Sequence, residues 1–257
     1  MKCAKSRPTL LRLDSSFGIA VLAVVLTMLV AAAPVAANET QRYQVSASAD
    51  DAEEVGGVID LSSSDLELTE DDAGVAQLIG VRFDDIDLPQ GTPILGAYLQ
   101  FTTDEDDKNR EPFNVAIYAE ADDDAPNFDE RGIASRLRTA SSAIWTGIPE
   151  WTVEHESGPD QRTPDLAAVV QEVVDREGWQ AGNAIAFVLE GTGTRTAESY
   201  DGSIDEVEVA DLAPELVLLV SSSETYRVAS STDDAEEGDD GPGVLDLDSS
   251  DLELVED

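Results

Sequence analysis

The sequence predicts an all-β protein, an antiparallel β-sandwich of jelly-roll-like form with one amphipathic helix packed on it. Short segments alternate apolar and polar residues or form brief apolar runs, and Gly, Pro, Asp or Ser bounds each of them. Such segments recur at regular spacing, which is typical of antiparallel sandwiches. The predicted strands are 43–49, 66–68, 75–83, 94–102, 113–119, 184–190 and 215–220.

One segment has helical periodicity instead. Thr163 is the predicted N-cap, Pro164 suits the first helical position, and Gly178 ends the helix. Because the apolar residues share one face, we expect the helix to pack against the sandwich. These residues are Leu166, Val169, Val170, Val173 and Val174.

A direct repeat of domain length organises the chain. Residues 43–54 recur at 226–237, an offset of 183, and residues 58–68 recur at 244–254, an offset of 186. A unit of this length suits a whole domain rather than a solenoid repeat. We therefore predict a complete β-sandwich module at 40–221, a linker at 221–223, and the truncated start of a second copy at 224–257.

Residues 1–37 have the features of a cleaved export signal. Basic residues precede an apolar run at 17–33, and small residues follow it up to Ala37. The alternative is a membrane anchor, but the run is short for a span and lacks a basic flank after it. We expect a secreted protein, extracellular or at the cell surface, with no membrane span after cleavage. Cys3, the only cysteine, lies in this segment, so no disulfide is expected afterwards.

The chain is strongly acidic, with 15 Lys and Arg against 55 Asp and Glu and a formal net charge of −40. Such an excess opposes binding to nucleic acid or anionic lipid. It favours either solubility in a salt-rich medium or the binding of divalent cations.

Carboxylates cluster where the predicted strands end. The Asp-Asp-Ala-Glu-Glu unit at 50–54 recurs intact at 233–237, and Asp65 and Glu67 follow it at strand spacing. Calcium takes six to eight oxygen ligands in mixed geometry, and EF-hand spacing is missing, so a site must be assembled from several loops. The alternative is a solvated acidic edge that opposes strand pairing between molecules. The predicted calcium ligands are Asp50, Asp51, Glu53, Glu54, Asp65, Glu198 and Asp201.

Aromatic residues offer a second binding chemistry. Trp145 and Trp151 lie in a loop-like stretch, and Tyr200 follows later in the chain. Sugar rings stack on exposed aromatic faces, so these three residues are the predicted ligand contacts. The alternative is that the tryptophans pack in the core.

The sequence gives little basis for catalysis. The single histidine, His155, has no nucleophile or metalloprotease motif around it, and paired carboxylates are too abundant to single out a glycosidase pair. Residues 191–195 resemble a dinucleotide loop only partly and are predicted to form a hairpin turn. We therefore expect a protein that is not an enzyme.

Several segments together resemble a tandem β-sandwich module of large bacterial secreted proteins. They also resemble, more loosely, the disaggregatase-related (DNRLRE-type) carbohydrate-binding-like domains. The resemblance implies a jelly-roll-like sandwich with a crossing helix, a structural calcium near the first strand, and no catalytic residues. The segments are Val81-Arg-Phe83, Ile94-Leu-Gly-Ala-Tyr-Leu-Gln-Phe101, Thr163-Pro-Asp-Leu166 and Arg195-Thr-Ala-Glu-Ser-Tyr-Asp-Gly202, with the acidic unit at 50–54, Trp151 and Trp179.

The function expected from these observations is calcium-stabilised binding or adhesion. The expected partner is an extracellular polysaccharide or a surface protein, with further copies of the module in the same chain. Two alternatives stay open. One is a stalk or spacer repeat, and the other is an accessory domain of a secreted glycoside hydrolase or phosphoesterase.

Overall fold

The structure is a computed structural model. It describes residues 38–71, 73–205 and 212–221, together with two short paired strands at 236–237 and 245–246. The predicted export signal at 1–37 and most of the predicted second copy at 224–257 lie outside the described residues.

The described residues form mainly antiparallel β-structure with a short helix on it, which confirms the predicted fold class. The helices are α1 (Ala167–Val174) and α2 (Tyr200–Asp205), and 3-10 turns lie at Ile133–Ser135 and Pro159–Gln161. The strands are β1 (Asn38–Gln44), β2 (Asp51–Val55), β3 (Val58–Asp60), β4 (Asp65–Glu67), β5 (Leu78–Ile86), β6 (Ile94–Gln100), β7 (Arg110–Ala119), β8 (Ala143–Thr146), β9 (Asn183–Thr194), β10 (Thr196–Glu198), β11 (Glu215–Ser221), β12 (Glu236–Glu237) and β13 (Leu245–Asp246).

Two sheets enclose the main core. One has six strands in the order β3-β2-β5-β9-β7-β8, and the other has three in the order β1-β11-β6. Alternate residues of each strand point inward, so Ile79, Val81 and Phe83 of β5 are buried opposite Leu216 and Leu218 of β11 in one apolar cluster. A separate ribbon, β4 with β10, lies beside these sheets and holds the candidate site.

Helix α1 buries its apolar face against β6 and β7. Its start differs from the prediction, because the first helical residue is Ala167 and Leu166 is the N-cap without a side-chain bond. Thr163 instead accepts a hydrogen bond from the Leu99 amide at 2.9 Å. The Asp165 carboxylate accepts from the Ala167 amide, so it satisfies one of the helix's free N–H groups.

The three-stranded sheet brings the first strand, β1, beside β11. β1 pairs antiparallel with β11, so that Asn38 lies opposite Ser221 and Gln44 lies opposite Glu215. Asn38 and Ser221 therefore lie at one end of the sheet, which we call the junction end. Among the described helices, none is long and apolar enough to cross a membrane.

The hairpin turn predicted at 191–195 is wrong. Strand β9 continues to Thr194, and Gly191 and Gly193 lie against the backbone of β7. A Cβ at Gly191 would lie 2.2 Å from the Asn114 carbonyl oxygen, and Gly193 has a φ of +76°. The glycines allow close strand approach here rather than a chain reversal.

Replacing Gly191 therefore has a testable cost. We expect Gly191→Ala to lower the free energy of unfolding by about 3 kcal/mol, because the new methyl group meets backbone atoms of β7 that cannot move independently. Gly96→Ala is the matched control, since the nearest atom to its Cβ is 3.7 Å away and a strand Gly→Ala change is neutral or stabilising by about 0.4–1 kcal/mol. Urea unfolding measures both, and equal stability of the two variants would contradict the close approach.

Candidate functional site

The β4–β10 ribbon gathers acidic side chains on one of its faces. Glu198 lies opposite Asp65, and Thr196 lies opposite Glu67. Directly opposed residues share a face, while the alternate residues Leu66 and Ala197 are buried in the core. One side of the ribbon is therefore apolar and packs in the core, and the other side carries Asp65, Glu67 and Glu198.

A third segment extends this acidic side. Beyond the end of β6, the Glu198 amide donates to the Thr102 carbonyl at 2.9 Å, and the Asp104 amide donates to the Thr196 carbonyl at 3.1 Å. β6 starts beside Ser221 at the junction end, so this segment lies at the opposite end of the module. We call that region the acidic end, and it comprises Asp51, Glu53, Asp65, Glu67, Asp104, Glu198 and Asp201.

Strand β2 contributes only part of its acidic unit to this end. Asp51 and Glu53 lie opposite Val81 and Ile79 of the inward face, so their side chains point inward. Ala52 belongs to a small apolar cluster on the other face of the same sheet. The period of two along a strand thus divides the unit between two faces.

The prediction that Asp50 and Glu54 join the other ligands is therefore wrong. Asp50 is bonded to Arg82 on the opposite face, with 2.6 Å between carboxylate and guanidinium. One Glu54 oxygen accepts a hydrogen bond from the Ala134 amide at 2.9 Å, beside the turn at Ile133–Ser135. Both carboxylates have structural partners away from the acidic end.

Asp51 connects β2 to helix α2. Asp51 is only 3% exposed, and its Oδ2 accepts a hydrogen bond from the Tyr200 amide at 2.7 Å. The pKa of Asp51 is raised to about 7, chiefly by burial and to a smaller extent by the charges of Asp201 and Asp50. In Asp201, Oδ1 accepts from the Ser48 hydroxyl at 2.9 Å, whereas Oδ2 is buried without a hydrogen-bond partner in the described part of the chain.

Glu53 accepts a hydrogen bond from the backbone at the outer edge of β4. Its Oε1 accepts hydrogen bonds from the Glu67 amide and from the Gln77 side chain, both at 2.8 Å, and Gln77 also donates to the Glu67 carbonyl. Burial raises the pKa of Glu53 to about 8, with smaller contributions from the charges of Glu67 and Asp65. In the described residues, neither Asp51 nor Glu53 forms an ion pair with Lys or Arg.

Asp104 and His155 complete the acidic end. Burial raises the pKa of Asp104 to about 6, and the charges of Asp65 and Glu105 act in the same direction. The Nε2 of His155 lies 3.3 Å from Oε1 of Glu198, which is 1% exposed as a residue. Asp104 was not among the predicted ligands, because periodicity in the sequence does not show that its segment lies beside β10.

Gly202 lets α2 lie against the ribbon. A Cβ at this position would lie 1.9 Å from the Ser64 carbonyl oxygen, so only glycine fits. The Ser199 hydroxyl donates to the Ser63 carbonyl at 2.7 Å and accepts from the Gly202 amide at 2.9 Å. These small residues bring Asp201 beside Asp51, a role that the sequence analysis missed.

The predicted sugar contacts at Trp145 and Trp151 are wrong, because both rings are buried in the core. Trp145 is 1% exposed, stacks on Phe101 with 5.9 Å between ring centroids, and meets Phe113 edge-on. Trp151 is 0% exposed and donates its indole N–H to the Asp160 carbonyl. Tyr200 is partly buried and packs against the same core. Inward alternation in β8 explains Trp145, since its neighbour Ile144 is exposed.

A polar groove of about 390 Å³ lies on the outer side of the three-stranded sheet. Arg42 and Glu215 form an ion pair across it at 2.5 Å, and the Arg162 guanidinium lies 4.2 Å from the Tyr98 ring centroid nearby. The groove offers amide, hydroxyl and charged groups instead of aromatic faces. Its lining includes Arg42, Gln44, Gln100, Thr102, Ser157 and Glu215.

The acidic end has the oxygen donors that calcium prefers, but not a complete set of side-chain ligands. Among the described residues, no group of three or more His, Cys, Asp or Glu side chains is arranged to hold a metal ion. A cation here would thus use two carboxylates, those of Asp51 and Asp201, together with carbonyl and water oxygens. Such mixed oxygen ligation suits calcium, which accepts irregular geometry.

A scan against protein-family models finds no match to this chain. A search of curated proteins likewise finds no match. The resemblance to secreted β-sandwich modules stays a prediction from the sequence.

The buried carboxylates predict an unusual pH dependence. Between about pH 4 and pH 8 the folded Asp51 and Glu53 retain protons that the unfolded chain has released, so the free energy of unfolding falls as pH rises. Each group contributes at most about 1.4 kcal/mol per pH unit. The free energy of unfolding is measured with urea, in EDTA at constant ionic strength, across this pH range. We expect it to fall less steeply with rising pH in Asp51→Asn and in Glu53→Gln than in wild type.

Glu150→Gln is the control, because Glu150 is exposed and its charge contributes only to general repulsion. Its slope should equal that of wild type. Equal slopes in all four proteins would show that Asp51 and Glu53 are ionised in the folded state.

Proposed function

We propose that this protein is a non-catalytic extracellular binding module whose acidic end takes a calcium ion and thereby becomes ordered for contact with a polysaccharide or surface protein. One observation carries this proposal. The carboxylates of Asp51 and Asp201 are neighbours, and both are at least partly buried. One Asp201 oxygen, Oδ2, has no hydrogen-bond partner within the described residues.

Two adjacent carboxylates without a cation are costly in a folded protein. Burial removes water from the charged oxygens, and like charges repel across the remaining low-dielectric gap. A proton relieves this cost in acid, and a divalent cation relieves it at neutral pH. Calcium fits better than magnesium because the surrounding donors are irregular, and better than zinc because they are all oxygens.

The polysaccharide part of the proposal rests on the polar groove. Amide and hydroxyl groups of Gln44, Gln100 and Ser157 line the groove and suit the hydrogen-bonding pattern of a sugar chain. Thr102 connects the groove to the acidic end, because its carbonyl accepts the Glu198 amide. A cation that orders the acidic end would therefore also order one wall of the groove.

Calcium selectivity tests the proposal. We expect the midpoint of thermal unfolding of the mature chain to rise with calcium over EDTA, and to rise much less with magnesium or sodium at matched ionic strength. Stabilisation follows the ratio of calcium to Kd and reaches about 2.7 kcal/mol at one hundred times Kd. Asp51→Asn and Asp201→Asn should each abolish the selective rise.

Asp107→Asn and Glu150→Gln are matched controls, since each removes one exposed carboxylate from the same chain. They should retain the calcium response. An equal response of wild type to all three salts would indicate charge screening alone and would overturn the proposed site.

A further inference from the structure

A row of three residues crosses the acidic end from one strand to the next. Thr103 forms an antiparallel bridge with Ala197, and the Asp104 amide donates to the Thr196 carbonyl. Asp104 therefore lies opposite Thr196, on the side of β10 away from Glu67. Because directly opposed residues share a face of the sheet, Glu67, Thr196 and Asp104 have their side chains on one face. We call these three residues the Thr196 row.

The hydroxyl in the middle of the row is buried. Thr196 is 1% exposed, and its Oγ1 has no hydrogen-bond partner among the described residues. Leaving a buried hydroxyl unbonded is destabilising, so native structures nearly always supply a partner. Neither flanking carboxylate comes within hydrogen-bond distance of this oxygen. The gap between the hydroxyl and the two carboxylates is thus a place for a ligand that all three groups can bind.

Negative charge surrounds the Thr196 row. Burial raises the pKa of Asp104 to about 6, and the charges of Asp65 and Glu105 act in the same direction. His155 acts on Asp104 in the opposite direction and more weakly, and its Nε2 lies 3.3 Å from the Glu198 carboxylate. The surroundings of the row therefore favour a positively charged ligand.

We propose that the acidic end binds a second calcium ion on the Thr196 row, separate from the ion at Asp51 and Asp201. Two carboxylates balance the charge of one divalent cation, and the Thr196 hydroxyl adds a neutral oxygen. Calcium–oxygen bonds of about 2.4 Å let one ion connect oxygens about 5 Å apart, which is close to the spacing of neighbouring strands. Glu67 and Asp104 are half-buried, so water oxygens complete the coordination from the solvent side.

The two sites differ in what they join and in how strongly they bind. Asp51 bonds helix α2 through the Tyr200 amide, whereas the row joins β4, β10 and the segment at Asp104. Each site has two carboxylates, in agreement with the absence of any three-residue metal group from the described residues. Asp51 is 3% exposed, so water screens its charge less than the charges of the row. The row therefore fills at higher calcium concentrations than the first site.

The second ion has a consequence for the polar groove. Thr102 lines the groove and lies two residues before Asp104. An ion that holds Asp104 to the ribbon also restrains this wall of the groove. The inference rests on the contacts of the row itself and does not depend on the ion at Asp51 and Asp201.

Nuclear magnetic resonance on the mature chain tests the proposal. Calcium is added at constant ionic strength up to about 10 mM, above the ~1 mM Kd of weak extracellular calcium modules. We expect the Tyr200 amide resonance to shift in a first phase and the Glu67 and Asp104 amides in a second phase. Thr196→Val and Asp104→Asn should lose the second phase and keep the first.

Thr40→Val and Asp107→Asn are the matched controls, because both residues are exposed, and both variants should keep the two phases. Asp51→Asn should lose the first phase and keep the second. Loss of the Tyr200 phase alone in wild type would contradict the first site and leave the second standing. Row amides that shift equally with magnesium or sodium, or that still respond in Thr196→Val, would overturn the second site.

The stability of Thr196→Val gives an independent test. Valine replaces the buried hydroxyl with a methyl group of similar size, so in EDTA we expect this variant to be at least as stable as wild type. In 10 mM calcium it should be less stable than wild type, because it has lost an ion ligand. Equal destabilisation in EDTA and in calcium would show that the hydroxyl bonds a trapped water instead, which would overturn the proposal.

Discussion

The acidic end depends on the hydrogen bonds by which two buried carboxylates of β2 hold neighbouring elements. Asp51 accepts the Tyr200 amide of α2, and Glu53 accepts the Glu67 amide of β4. Both elements are too short to be stable alone, so these bonds fix them to the six-stranded sheet. The same bonds remove carboxylates from water and set them beside further acidic residues. Structural attachment and concentrated negative charge thus have one cause.

This coupling is the reason that we propose a cation at the acidic end. A neutral side chain at position 51 or 53 would make the attachment with less electrostatic cost, yet the chain has carboxylates at both positions. A buried carboxylate is usually compensated by a basic partner. Glu120, on the other face of the sheet, is an example, because it forms ion pairs with Arg136 and Arg131. Asp51 and Asp201 have no such basic partner in the described residues, and calcium would supply the missing positive charge.

The fold also places the acidic end away from the first and last strand ends of the described β-sandwich. Pairing between the first and last strands of a sandwich places its beginning beside its end, whatever the surface chemistry. The acidic end is then free of the chain connections and faces away from them.

The sequence by itself located strands β4 to β7, β9 and β11, the helix, the repeat and the excess of acid, because each follows from local periodicity or from counting. It did not predict β2, β3 or β8. The structure confirmed the fold class, including the apolar face of Val169, Val170 and Val173 on α1. Only the tertiary structure decided which carboxylates meet. Asp50 and Glu54 were separated from Asp51 and Glu53 by the alternation of one strand, while Asp104 joined them through a segment far away in sequence. The burial of Trp145 was likewise a matter of packing between sheets, which one strand's own sequence does not specify.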